Sequence, residues 1–423
     1  MQTAKGTRDF AGEDKLARDG IVAAIKNVFE LYGYNPLETP VLEMYDVLSS
    51  KYAGGAEILK ETFKLKDRGK RILGLRYDLT VPMCRFIAMN PNLKMPFKRY
   101  QIGEVFRDGP INLGRYREFY QCDVDVVGVR EMSADAEIIK LTQKVFEQLR
   151  MDVVIKVNSR KILNGILDYA GVEKGKFETV ILSIDKLQKL GADAVKKELK
   201  EKKISEDSTK KIISAISIQG SFEKKLEELG KTIKSQEGAE GLKEIGDLFA
   251  YLKGGNVEFD ISLSRGLAYY TGTVFEAYLK DSEIKSSVAG GGRYDKMIGK
   301  FLQSEKEYPA VGISFGLDVM TDVMKLGKES GRKSVVQAYI IPIGISKEAF
   351  EIAEKLRNAG INADVDLMGR GISKNLDYAN SMAIPYVIFI GGKELKEKKI
   401  KLRDMKTGKE ELLGVDEVCK RIG

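Results

Sequence analysis

Three stretches of the 423-residue chain place arginines, carboxylates and tyrosines where strand patterning calls for a core. In "RYDLT", Asp78 and Thr80 stand two apart and share one face of a predicted strand. "FRDGPINLGRYREFYQCDVDV" gathers Arg107, Arg115, Arg117, Gln121 and Asp125 on a predicted hairpin, with Gln121 and Asp125 on one face by their even spacing. "SRGLAYYTGTVFE" sets Arg265 beside the pair Tyr269 and Tyr270. Several arginines near aromatic rings suit a triphosphate carrying a flat base, because guanidinium matches phosphate oxygens bidentately and stacks on rings. Two carboxylates in one cleft, Asp78 and Asp125, repel unless a cation lies between them, which points to a substrate with an ammonium group. The chain has no histidine. A histidine general base or nucleophilic triad is therefore excluded, and chemistry by positioning and charge stabilisation remains.

The elements that must hold these groups follow from periodicity. Residues 13–33 carry helix-spaced apolar positions ending at Gly33, and "YNPLETPVLEMYDVL" follows as an extended, proline-punctuated segment. "RILGLRYDLTVPMCRFIAMN" reads as a strand followed by a helix starting near Pro82. "FKRYQIGEVFR" and "YREFYQCDVDVVG" are β-rich runs joined by "DGPINLG", whose glycines and proline predict an exposed hairpin loop. No GxxxxGK[ST] occurs, and "GGGRYD" does not follow the dinucleotide fingerprint, so a nucleotide here is expected on an antiparallel sheet and held by arginines.

Between residues 160 and 254 the texture turns Lys/Glu-rich and helix-spaced, as in "EDSTKKIISAI" and "FEKKLEELGKTI", predicting a helical insertion. β-Pattern returns in "VEFDISLSRGLAYYTGTVFEAYL" and "SSVAGGGRYDKMIG", and "AVGISFGLDVMTDVM" reads as a strand leading into a helix. After the link "KLGKESGRKS", strand and helix patterns alternate to the end, which argues for a small α/β domain with a largely parallel sheet. The organisation expected is residues 1–159 with 255–330, an insertion at 160–254, and a final domain at 331–423.

Composition fits a large globular protein. Charged residues make up 31% and hydrophobic residues 43%, and no apolar run reaches the roughly 20 residues needed to span a bilayer. "MQTAKGTRDFAGEDK" lacks the apolar core of a secretion signal, so the chain is read as cytoplasmic. Cys84, Cys122 and Cys419 are too scattered for a disulfide framework or a zinc site and read as structural thiols. The formal charge is +8, and residues 331–423, with 17 basic against 13 acidic side chains, carry half of it. The basic run "KELKEKKIKLRDMKTGK", with Lys396, Lys399 and Lys401, could follow a phosphate backbone.

Taken in order along the chain, "KGTRDF", "GYNPLETPVLE", "LRYDLTVP", "FKRYQIGEVFRDG", "GRYREFYQCDVDVVG", "SRGLAYYTGTVFE" and "AGGGRYDKMIG" resemble the histidyl-tRNA synthetases, class II aminoacyl-tRNA synthetases. The resemblance implies an α+β catalytic domain, an antiparallel sheet flanked by helices, with a helical insertion and a C-terminal α/β anticodon-binding domain. It implies ATP with Mg2+, L-histidine and tRNA(His) as partners, and a homodimer through motif 1. By the same resemblance Arg107 holds the α-phosphate, Phe119 stacks on adenine and Arg115 reaches the outer phosphates. Asp78, Thr80 and Gln121 take the α-ammonium of histidine, Asp125 and Tyr270 its imidazole, with Tyr269 beside them, and Arg265 lies against the α-phosphate and the carboxylate. The tail from Lys374 looks like the anticodon-binding domain.

The sequence also departs from that pattern. Arg107 is followed by Asp108 and Gly109 where the family has Arg-x-Glu, Ala268 stands where aspartate is common, and Val319 occupies the place of the motif 3 arginine. Arg115, Arg117 or Arg293 is expected to carry the γ-phosphate instead. Two other functions compete. One is a catalytically silent paralogue serving as regulatory subunit of ATP phosphoribosyltransferase, which typically lacks the signature arginine and the tRNA domain. The other is a synthetase for a different amino acid, which leaves "RGLAYYTG" unexplained.

Overall fold

The computed structural model describes residues 1–49, 56–112, 114–252, 254–265, 269–282, 284, 286–326 and 332–423. Ala268 and the centre of the link after residue 326 lie outside the described residues. The chain forms two compact units, Met1–Arg8 with Ile21–Gly327, and Asp9–Gly20 with Lys328–Gly423.

In chain order the first unit carries β1 (Asn35–Pro36), β2 (Leu42–Met44), β3 (Lys64–Lys66), β4 (Ile72–Leu75), β5 (Phe97–Phe106), β6 (Glu118–Val127), β7 (Val153–Ser159), β8 (Val257–Phe259), β9 (Thr273–Leu279), β10 (Ala289–Arg293) and β11 (Ala310–Gly316). Eight of these form one sheet in the order β1-β5-β6-β11-β10-β9-β7-β8. Its six inner strands are all antiparallel, and only the short edge strands β1 and β8 pair in parallel. β2, β4 and β3 make a separate small sheet.

One face of the large sheet is closed by apolar side chains alternating with the polar ones that concern the site. Cys122, Val124 and Val126 of β6 pack with Phe315, Phe29 and Phe146, the last two carried by the helices Gly12–Leu31 and Met132–Gln148. Each such side chain contributes about 1.5–3 kcal/mol on burial, which fixes which parity of β6 faces inward. The opposite parity is left for function.

Residues 160–254 are helical: Arg160–Tyr169, Phe177–Ile184, Leu187–Glu201, Glu206–Ile216, Phe222–Thr232 and Gln236–Tyr251. The last three start at serines, where Ser205, Ser221 and Ser235 accept hydrogen bonds from the backbone N–H of Ser208, Lys224 and Gly238. Such caps satisfy amide groups that a helix start leaves unpaired.

The second unit holds β12 (Ala338–Ile343), β13 (Ala363–Val365), β14 (Tyr386–Gly391), β15 (Ile400–Asp404) and β16 (Glu410–Leu413) in the order β13-β12-β14-β15-β16. The parallel part is limited to β13, β12 and β14, since β15 and β16 add an antiparallel hairpin. The basic run builds that hairpin: its turn falls within "DMKTGK", where the Asp404 carboxylate accepts from the backbone N–H of Lys406 and Thr407. The three cysteines are free, with Cys84 and Cys122 buried.

Arg293, one of the arginines expected at the γ-phosphate, is instead an internal brace. It is 2% exposed, pairs with the fully buried Asp135 and with Asp295 at 3.3 Å, and donates to the Val129 carbonyl at 3.0 Å. Asp135 also accepts from the Thr273 hydroxyl, so helix Met132–Gln148 is tied to β9 and β10 through one carboxylate. Asp135→Ala should leave a buried guanidinium uncompensated and cost about 3–5 kcal/mol of folding stability in chemical denaturation. A loss under about 1 kcal/mol would show that the brace carries no structural role.

Candidate active site

A cavity of about 560 Å³ opens on the polar face of the large sheet. Its floor is β6, β10 and β11. Its walls are the segment Tyr77–Thr80, Arg107 at the end of β5, the loop bearing Arg265, Tyr269 and Tyr270, and one side of the helix Phe177–Ile184. Of the expected residues, Asp78, Thr80, Arg107, Phe119, Gln121, Asp125, Arg265, Tyr269 and Tyr270 all line it.

Asp78 and Thr80 reach the cavity by a different route from the strand face expected. β4 ends at Leu75 and the helix Thr80–Met89 begins at Thr80, two residues before the expected start at Pro82. The Asp78 Oδ1 accepts the Val81 N–H at 2.9 Å, so the residue supports the helix start while lining the cavity. Helix geometry, not strand alternation, brings the two side chains together.

At the centre of the floor lies a buried ion pair. Arg99 of β5, 1% exposed, approaches Asp125 of β6 at 2.8 Å, and Asp125 also accepts from the Tyr294 hydroxyl. Burial pushes the Asp125 carboxyl up from its ordinary range, against Arg99 and Tyr294, which pull it down. Burial likewise raises Asp78. Asp123, between Gln121 and Asp125 on the same face, is pushed up to about 7, by burial first, with Arg99 opposing and Asp125 adding to the rise. Gln121 Oε1 and Asp123 Oδ1 are buried acceptors with no well-formed protein hydrogen bond.

Two guanidinium groups supply the positive charge. Arg107 lies over the rings of Tyr77 at 4.1 Å and Phe119 at 4.9 Å and donates to the Tyr77 carbonyl. Arg265 stands 3.6 Å from Glu276 and 5.5 Å from the Tyr270 ring centre, with its Nη1 buried and unpartnered. Burial disfavours its charge, the Glu276 carboxylate favours it, and the guanidinium stays protonated. The Tyr269 and Tyr270 rings pack at 4.6 Å, and Tyr294 meets Tyr269 edge-on at 6.0 Å. Burial raises all three phenols, so they act as neutral hydroxyls.

Arg115 and Arg117 do not line the cavity. Arg115 pairs with Glu61 at 3.0 Å, and Arg117 pairs with Asp108 at 3.1 Å beneath the backbone of Gly6. Val319 packs on the core beside Gly114. Close by, Arg8 meets Asp318 at 2.6 Å and covers the Tyr116 ring at 3.4 Å. In the second unit Lys396 and Lys399 are exposed, and Lys401 pairs with Glu410 at 3.4 Å. Among the described residues no group of Cys, Asp and Glu side chains is arranged to hold a metal ion.

Sequence reasoning passed over several cavity residues, among them Asp123, Tyr294, Glu178 and Asp185. Asp123 shares the even spacing that singled out Gln121 and Asp125, so the signal was present. Tyr294 lies in the quoted "GGGRYD" run without an assigned task. Glu178 and Asp185 project from the helical segment, and helix periodicity marks them only as polar-face residues.

Glycines let the charged groups lie flat on the sheet. A Cβ on Gly290 would come within 1.9 Å of Arg265 Nη1, and one on Gly312 within 1.9 Å of Asp125 Oδ1. The Arg265 head can move, whereas Asp125 is fixed by two partners. Gly290→Ala should therefore melt at the wild-type temperature while weakening ATP binding about tenfold or more in a direct titration, the scale of one misplaced charge-assisted contact. Unchanged ATP affinity would remove Arg265 from the anion site.

Known proteins resemble the chain along nearly its whole length. The histidyl-tRNA synthetase family matches residues 6–320, and the anticodon binding domain family matches residues 337–423. "Histidine--tRNA ligase 1" of Bacillus cereus (strain ATCC 10987 / NRS 248) is 44% identical over 415 residues, covering 97% of this chain and 94% of that one. The crystal structure of histidyl-tRNA synthetase from Nostoc sp. PCC 7120 superposes with a TM-score of 0.86 at 30% identity, covering 99% of both chains. A structure described as an ATP phosphoribosyltransferase regulatory subunit/histidyl-tRNA synthetase from Bacillus halodurans C has a TM-score of 0.76 at 24% identity, covering 92% of this chain and 97% of that one, a likeness of fold alone.

Proposed function

The chain belongs to the histidyl-tRNA synthetase family, and from that premise we propose how its own residues divide the work. The activity is that of a histidine–tRNA ligase: histidine and ATP give histidyl-adenylate and pyrophosphate, and the histidyl group then passes to the 3′ end of tRNA(His). The observation that carries the division is the meeting of Arg107 and Arg265 with Asp78, Asp123 and Asp125 in one cavity. Cations and anions are both present there in excess of their internal pairing.

The substrate matches that pattern. Its carboxylate, ionised at neutral pH, needs no protein base to attack the α-phosphorus. As the new O–P bond forms and the bond to the pyrophosphate oxygen breaks, charge builds on the α-phosphate oxygens between Arg265 and Arg107. The unpartnered Arg265 Nη1 supports this placement. Phe119 offers its ring to adenine under the Arg107 plane. Asp78, Thr80 and Gln121 take the α-ammonium, and Asp125, held by Arg99 and Tyr294, faces the imidazole with Tyr270, Tyr269 packing behind. Arg115 and Arg117, the two candidates left for the γ-phosphate, both lie in solvent-accessible ion pairs, with Glu61 and Asp108, from which they are free to exchange to phosphate. No side-chain cluster among the described residues offers Mg2+ a site of its own, so the ion is assigned to the nucleotide's phosphates and no step here runs through it.

The silent-paralogue reading is disfavoured by the retained arginines and by the match of residues 337–423 to an anticodon binding domain. A homodimer is supported by apolar side chains left exposed on the small sheet, Leu42, Met44, Leu65 and Ile72. Among the described residues no helix is long and apolar enough to cross a membrane, and a cytoplasmic site is proposed from the need to meet tRNA. The helical residues 160–254 are placed as an insertion that borders the acceptor end, in keeping with the cavity wall they supply.

Histidine-dependent exchange of pyrophosphate into ATP tests the reading. Wild type should exchange with histidine and with no other amino acid, and Arg265→Ala should lower the rate by about 100- to 1,000-fold while folding normally, the scale of one lost transition-state donor. Exchange without amino-acid preference would overturn the specificity, and an Arg265→Ala enzyme near the wild-type rate would overturn the placement of charge. Replacing Lys396, Lys399 and Lys401 together by glutamate should weaken tRNA binding and flatten its salt dependence. Equal binding at low and high salt would return the run to an ordinary solvated face.

A further inference from the structure

β6 lays four side chains along the cavity floor at every second residue: Phe119, Gln121, Asp123 and Asp125. Consecutive members of such a row stand roughly 6.6–6.8 Å apart. The division of work above gives a task to all but Asp123. Its backbone pairs with Gln101 on one side and Ser314 on the other, it is 3% exposed, and its Oδ1 makes no well-formed protein hydrogen bond, although the Ser314 hydroxyl lies close enough to favour the ionised carboxylate. A buried acceptor left without a donor costs about 1–3 kcal/mol, so a place facing a cavity calls for a ligand donor. The next in the row, Asp125, has one oxygen on the Tyr294 hydroxyl and the other, though without a hydrogen bond, in an ion pair with Arg99 at 2.8 Å.

Resting on the histidine-activating reading, we propose that Asp123 is a further histidine-recognition residue: its Oδ1 bonds one nitrogen of the bound imidazole, and the carboxyl and the ring hold a single proton between them. Asp125 and Tyr270 remain for the other nitrogen. Position supports the imidazole over the ammonium, since Asp123 lies one step deeper than Gln121, on the side of Asp125, and Tyr270 is close enough for its phenol to feel the carboxylate.

Acid strength supports it too. Asp123, held up to about 7, is close to an ordinary imidazole near 6.5. The charged and titratable groups facing it are Arg99 on β5, Arg76 after β4, Asp125 on β6, Asp78 before the helix Thr80–Met89, and Tyr270, with the Ser314 hydroxyl on β11. With the proton on either partner, the pair is one donor and one acceptor. Asp125 accepts the N–H that a neutral imidazole already carries, so above pH 7, where the free carboxylate is ionised and the free imidazole neutral, the second proton, held between the ring and Asp123, must be taken up on binding. Below pH 6 both are protonated and binding must release one. Histidine affinity therefore peaks near neutrality and falls on both sides.

Calorimetric titration of histidine into the full-length protein at pH 8, in two buffers of different ionisation enthalpy, counts the proton directly. Wild type should take up about one proton. In Asp123→Asn that uptake should vanish, KM for histidine in pyrophosphate exchange should rise about 10- to 100-fold, the scale of a lost hydrogen bond to a charged group, and KM for ATP should stay unchanged. The wild-type count stands even if the variant fails to fold. Wild type taking up no proton, or Asp123→Asn keeping the wild-type uptake and KM for histidine, would overturn the proposal while leaving the ligase reading intact. Only wild type that does not exchange with histidine would sink the reading itself.

Discussion

The cavity depends on one buried ion pair. Arg99 and Asp125 face each other at 2.8 Å across β5 and β6 with almost no exposure. Such a pair seldom adds stability over an apolar one, because both charges lose their water. Its use is positional and electrostatic. Arg99 also donates to the Leu79 carbonyl at 3.3 Å and contacts the Met83 sulfur, so the same guanidinium fixes the start of the helix Thr80–Met89 and with it Asp78 and Thr80. Three carboxylates, Asp78, Asp123 and Asp125, can share one cavity because this cation lies beneath them.

A chain without histidine therefore divides its charges by mobility. The fixed cations Arg99 and Arg293 sit inside and organise strands and helices. Arg107 and Arg265 sit at the cavity with incomplete pairing, and Arg115 and Arg117 lie outside in screened surface pairs. Only the second group can stabilise developing charge without first breaking a structural bond. That ordering separates arginines that the sequence presents as equivalents.

Much of this was legible in the residues, and the failures have physical causes. Even spacing on β6 located the floor because a strand has a period of two whatever surrounds it. The same rule misassigned Asp78 and Thr80, whose carboxylate-to-amide bond at Val81 starts a helix where a strand had been extrapolated. Arg293 was one of three arginines offered in place of the missing motif 3 arginine; its partner Asp135 lies 158 residues away and carries no local signal. The serine caps, by contrast, act within three residues and left the insertion easy to read.

The missing motif 3 arginine has a consequence for where pH dependence can arise. Among the described residues the cations lining the cavity are guanidinium groups, which keep their charge throughout the range in which enzymes work. The phenols are held neutral by burial across that range. Glu276 is occupied by Tyr278 and Arg265, and Asp125 by Arg99 and Tyr294. Asp123, pushed up to about 7, joins the imidazole of the substrate among the groups that titrate near neutrality. The protein has thus moved its acid–base sensitivity from the phosphate end, where charge must be constant for adenylation, to the end that must tell histidine from other amino acids, where a shared proton is itself the recognition element.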